Sequence, residues 1–143
     1  MGMDLLLVKL TPAQAEAVLA NPEVLNDVFE EPETLPAPLA ELDQEADVLD
    51  VNFLHISRYL DTEAAESPWL RKAVNGAGTI LDVDFGYENC WHLTPPEVRE
   101  MVAGIEQDGW FDPDPHLNGD VEALVNFYRT AGEQGRAVMG GVA

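Results

Sequence analysis

Basic side chains are scarce in this chain. Seven lysines and arginines stand against 27 acids, a formal net charge of −20. The imbalance is steepest at the start, where residues 1–50 carry twelve acids and a single base, Lys9. Nucleic-acid binding rests on neutralising phosphates with Lys and Arg, so such a field excludes nucleic acid as a partner. Cysteine is nearly missing as well. Cys90 stands alone, which excludes an internal disulfide framework and any multi-cysteine zinc site. Long apolar runs are absent: residues 5–8 are apolar, but far too few to span a bilayer, and no basic region precedes them. A soluble cytoplasmic protein that avoids membranes is the expectation.

Motifs for chemistry are equally thin. No Gly-x-Ser-x-Gly and no phosphate loop of the Walker type occurs. Gly76-Ala-Gly78 has no strand before it and no helix opening from it, so it reads as a glycine C-cap. The three histidines, His55, His92 and His116, form no short ligand pair such as His-x3-His. Cys90 has no basic neighbour in sequence to lower its pKa and make it a nucleophile. The acidic segment Asp112 to Asp120 resembles a calcium loop at first sight. However, Leu117 stands where an EF-hand needs glycine and Ala123 where it needs glutamate, so a rigid acidic turn is expected. The expectation is therefore no catalytic residue, no metal and no cofactor.

What is present is a core. With 46% hydrophobic residues the chain is too apolar for an acidic disordered tail. Its 143 residues fit one domain, 1–143, able to bury about two-thirds of its unfolded surface. Leu5 to Leu10 is an apolar run short enough for a buried strand. Thr11-Pro12-Ala13-Gln14 then forms a capping box with proline at the first helical position. Ala15, Val18 and Leu19 give that helix an inner face. Asn21-Pro22 stops it and starts another, whose stripe is Val24, Leu25, Val28 and Phe29. Residues 30–38, with three prolines and three glutamates beyond Phe29, read as an exposed loop.

A central helix is predicted over 46–60. On it Leu49, Phe53, Ile56 and Leu60 fall in one stripe, while Val48, Asn52, His55 and Tyr59 form the row beside it. Asp61 to Glu66 is a polar connection. A short helix follows Ser67-Pro68, with Trp69, Leu70, Ala73 and Val74 as its apolar members. Strands are expected near 79–83 and 87–93, with a turn at Asp84-Phe85-Gly86. Thr94-Pro95-Pro96-Glu97 is a second capping box, and Val98, Met101, Val102 and Ile105 recur at helical spacing after it. Asp120 is expected to cap a last helix facing inward through Val121, Leu124, Val125, Tyr128 and Ala131, before a strand over 136–142. The fold class is α+β: about six helices packed around the central helix, with a small mixed or antiparallel sheet from strands near 4–10, 79–83, 87–93 and 136–142.

Several segments together resemble one family. Gly86-Tyr87 with His92-Leu-Thr-Pro-Pro-Glu-Val98 is similar to the glycine-tyrosine and Leu-Thr-Pro-Glu-Glu-Val segment of the YfbM-like bacterial proteins of unknown function, DUF family 1877. Phe127-Tyr128, Ala131, Gly135 and Ala137-Val138 resemble that family's closing pattern. Leu54-His55 matches its central Leu-His, and Met1-Gly2-Met3 its start. Three family features are missing: the tryptophan shortly before the histidine, where Val51 lies, a Thr-Gly after it, where Leu60-Asp61-Thr62 stands, and the Tyr-Pro of the segment before the last helix, which is shorter here. The resemblance implies a compact α+β domain in the bacterial cytoplasm and implies no activity.

Two functional classes fit. One is a non-catalytic binding or regulatory protein, immunity-like in the sense of neutralising a basic partner, that turns an acidic surface toward a basic protein. The alternative is a small enzyme or ligand-binding domain with a pocket around Asn52, His55, Tyr59, Tyr87 and His92, where imidazole, amide and phenol groups could move protons. For His55 the plainer role is a histidine satisfied at the core margin, and for His92 a strand-end residue that positions a turn.

Overall fold

A computed structural model describes residues 3–62, 67–85, 89–109 and 119–143. Its centre is a five-stranded, wholly antiparallel sheet. The strands are β1 (Asp4–Leu10), β2 (Val48–Asn52), β3 (Thr79–Asp84), β4 (Asn89–Leu93) and β5 (Ala137–Val142), in the order β2-β1-β5-β4-β3. The helices are α1 (Pro12–Ala20), α2 (Val24–Glu30), α3 (Phe53–Thr62), α4 (Pro68–Asn75), α5 (Pro95–Gln107) and α6 (Gly119–Glu133). The chain is thus an α+β single domain.

Two cores flank the sheet. Leu5, Leu7, Trp91, Leu93, Val138 and Val142 pack on one face against α3 to α6. On the other, Val8, Leu10, Leu81, Val83, Cys90 and Met139 meet α1, α2 and the connection that follows them. This explains why β1 reads as a continuous apolar run: a strand covered on both faces has no polar side to alternate with. All six residues of β5 are buried for the same reason. β3 differs, burying Leu81 and Val83 while exposing Ile80, Asp82 and Asp84.

The central helix over 46–60 is corrected to two elements. Residues 48–52 are the edge strand β2, with Leu49 opposite Leu7 and Val51 opposite Leu5, and the helix begins at Phe53. Val48, Leu49 and Val51 suit either period, and pairing with β1 decides for the strand. Asn52 makes the switch. Its Oδ1 accepts the backbone N–H of His55 at 3.0 Å, which caps α3. The organising element is accordingly the sheet. Ile56 and Leu60 still bury completely or nearly so, and Phe53 packs at the margin of the same core.

Local signals fare unevenly. Both capping boxes form, at Thr11–Gln14 and at Thr94–Glu97. Asn21 does not cap α2; it closes α1, and α2 starts after a turn at Pro22-Glu23. Leu19, assigned to the inner face of α1, is 46% exposed. Ser67 precedes α4 without a side-chain cap. The segment 30–38 is mostly exposed, pinned by buried Leu35 and followed by buried Leu39. In the connection before β2, Asp47 is held firmly: Oδ1 accepts from Arg136 Nη1 at 2.6 Å and Oδ2 from the Asp43 N–H at 2.9 Å. Burial beside this pair pushes the Lys9 ammonium below its usual range, against the pull of Asp47. Inside the larger core, the Trp91 indole N–H and the Tyr128 hydroxyl approach each other without a hydrogen bond of regular geometry, and burial pushes the phenol's ionisation far up.

Candidate functional site

The residues singled out from the sequence fall in three places. Asn52 and His55 are joined by the α3 cap, so the Asn52 amide serves the helix rather than an open cavity. His55 is exposed, its side chain at 62%, and its Nδ1 lies 3.3 Å from Asp120 Oδ2. Asp120 sits in the first turn of α6, one residue after the helix begins, instead of capping it. Tyr59, one turn along α3 from His55, packs partly buried against the larger core. His92 is elsewhere. It lies on β4 opposite Thr79 and Met139, 9% exposed. Because β4 is three strands from β2, the two elements are about 14 Å apart across the sheet at the usual strand spacing. Burial pushes the His92 imidazole below its usual pKa, while nearby Glu97 pulls it up. Glu97 itself is lowered, first by the Thr94 backbone N–H it accepts at 3.0 Å. Tyr87, and with it the 110–118 segment that holds His116, lies outside the described residues.

Around the Asn75–Gly78 turn the surface opens into two cavities. One, of about 390 Å³, is walled by Gly76, Gly78, Ile80, Asn89 and Trp91. The other, of about 270 Å³, lies between Trp69, Lys72, Leu93, Glu97 and Met101. Gly76 has φ +105°, and a Cβ there would meet the Trp91 ring at 3.0 Å, so the turn lies flat against the indole only because this residue is glycine. Neither cavity takes in Asn52, His55 or Tyr59.

A larger groove, of about 610 Å³, runs between α2 and β3. Glu23 and Asp27 line one wall and Asp82 and Asp84 the other, with Val24 and Val83 at its floor. Among the described residues its lining includes four acidic residues and no basic one. Its shape is fixed from beneath and from one end. Val24, Leu25 and Val28 share a core with Leu81 and Val83, and the Phe29 and Phe85 rings meet edge to face at 5.5 Å. The groove joins two sequence segments more than fifty residues apart, and the sequence reading did not single out Asp82 or Asp84. The signal available was their alternation with Leu81 and Val83, which marks a strand with one solvated acidic face.

Among the described residues, no helix is long and apolar enough to cross a membrane. No curated protein and no solved structure matches the chain. One family does, described as a domain of unknown function, DUF1877, over residues 1–109. That match spans the sheet except for β5, both capping boxes and both walls of the acidic groove. The chain belongs to the DUF1877 family.

Proposed function

We propose that this protein is a non-catalytic binding or regulatory protein of the bacterial cytoplasm that receives a basic protein partner on its acidic surface. The observation that carries this reading is the groove between α2 and β3. Four acidic residues line that concave surface, which rests on the smaller core. Like charges held together by a scaffold raise the local field, which speeds encounter with a cation-bearing surface and repels polyanions. An immunity-like role, in which the acidic face blocks a basic protein, belongs to this reading.

The test is affinity capture from the native cell with the chain as bait, at low and at high salt. A basic protein retained at about 50 mM salt, released at about 500 mM, and lost on Asp27→Lys or Asp82→Lys supports it. Capture indifferent to salt and to both substitutions contradicts it.

A second reading has one observation in its favour. The exposed His55 imidazole with Asp120 at 3.3 Å is a histidine–carboxylate pair of the kind that serves proton transfer, and Asn52 fixes the backbone beneath it. A ligand that binds the native chain and not His55→Ala, with the fold intact, would support it.

A further inference from the structure

We propose that the cavity between the Asn75–Gly78 turn and the sheet binds a small uncharged molecule with an apolar body and a carboxamide-like edge. This site is separate from the acidic groove and from any basic partner received there. Its floor belongs to the larger-core face of the sheet. Ile80 pairs with Trp91 across the β3–β4 ladder, so the two side chains share a face, and Asn89 lies two positions before Trp91 on the same strand. The irregularity of this ladder falls between Ile80 and Asp84, beyond that pair. The turn after α4 forms a wall over the floor. Both of its glycines are required: a Cβ on Gly76, at φ +105°, would strike the Trp91 ring, and one on Gly78, at φ +76°, the His92 carbonyl oxygen. The wall therefore lies hard against β4, and the cavity is preformed.

The lining sets the class of ligand. At about 390 Å³ the cavity has the size of a small-molecule site. On a chain of net charge −20 its lining holds no charged side chain among the described residues, whereas the acidic groove and the cavity beside Trp69 both carry charges. Ile80 is 72% exposed, more than any other large hydrophobic residue described, and offers apolar surface that a ligand would remove from water. Asn75 and Asn89 supply the polar groups. Among the described residues neither amide side chain makes a hydrogen bond, so each keeps an acceptor oxygen and N–H donors for a ligand. Such amides match a C=O beside an N–H. A carboxylate or an ammonium is disfavoured, because its charge would lose water here and find no counter-charge.

The probes are benzamide, benzoate and benzylamine, molecules of nearly one shape that differ in charge. Each is titrated into the full chain and followed by backbone amide shifts. The overall field attracts a cation and repels an anion, so binding by charge alone would rank benzylamine first. The proposed site ranks benzamide first. Benzamide should bind with a Kd on the order of 1 mM, equally at about 50 mM and about 500 mM salt, and should perturb residues 75–80 and 89–91. Asn75→Ala, Asn89→Ala and Ile80→Ser, all at exposed positions, should each weaken it about threefold or more. Glu100→Gln, in the neighbouring cavity, should leave benzamide binding unchanged.

Benzylamine or benzoate binding more tightly than benzamide would overturn the site. So would benzamide shifts confined to other residues, no benzamide shifts up to about 20 mM, or benzamide binding indifferent to all three substitutions. If one substitution disturbs the amide spectrum beyond its neighbours, the other two decide. None of these outcomes bears on capture of a basic protein through the acidic groove, whose test positions, Asp27 and Asp82, lie outside this cavity.

Discussion

Replacing Gly104 with alanine sets two forces against each other. Gly104 lies within α5 with ordinary helical backbone, and in an open helix alanine there would add about 1 kcal/mol of stability. Here a Cβ would fall 2.0 Å from Trp69 Cδ2 and 2.3 Å from both Cγ and Cε2. The indole must move. It is partly buried against the larger core, and Lys72 Nζ sits 4.2 Å from the ring centroid. Forcing a methyl into such a contact costs about 1–3 kcal/mol, and loss of the exposed cation–π contact about 0.5–1 kcal/mol more. The steric term wins. Gly104→Ala should destabilise by about 1–2 kcal/mol, near 4 °C in Tm per kcal/mol for a chain of this size. The decisive assay is a double-mutant cycle by urea unfolding. In a Trp69→Ala background the clash disappears and helix propensity remains, so Gly104→Ala should now stabilise by about 1 kcal/mol. Stabilisation in both backgrounds would refute the close packing of α4 on α5.

Three further outcomes follow from the same geometry. Asn52→Ala should cost about 1 kcal/mol in urea unfolding, because the His55 N–H loses its cap, while Asn52→Asp should be tolerated. Asp47→Ala should cost more, about 2 kcal/mol, since it leaves Arg136 and Lys9 without their shared carboxylate; a loss below 0.5 kcal/mol by the same assay would place the pair among ordinary surface contacts. His92 gives a pH signature. Its folded pKa is below 6.5, so between 6.5 and that lower value the unfolded chain binds more protons than the folded one, and stability falls as pH drops through this window. Urea midpoints from about pH 7.5 to 5.5 should decline in the native chain and flatten in His92→Gln.

Much of this fold was legible locally. Thr11 and Thr94 each sit three residues before a Gln or Glu that returns the bond, with proline between, and both boxes form as read. The apolar run of Leu5 to Leu10 and the stripe of α5 were equally plain. What stayed hidden was non-local. Val48 to Val51 carries a helical stripe and a strand pattern at once, and the choice is made by β1, more than forty residues earlier. Asn52 reads as a helix-interior neighbour of His55 until that strand exists, and then as its cap. Leu19 fits the helical spacing of Ala15 and Val18 but lies beyond the reach of the core that buries them. The candidate sites were harder still. Nothing in the sequence pairs His55 with Asp120, 65 residues on, or brings β3 beside α2.

The most direct measurement is an amide-shift map of the isotopically labelled chain titrated with a basic peptide at low and at physiological salt. Perturbations should gather on residues 23–27 and 79–84, weaken with salt and vanish on Asp27→Lys with Asp82→Lys. Shifts scattered over the whole acidic surface and indifferent to those two substitutions would contradict docking in the groove.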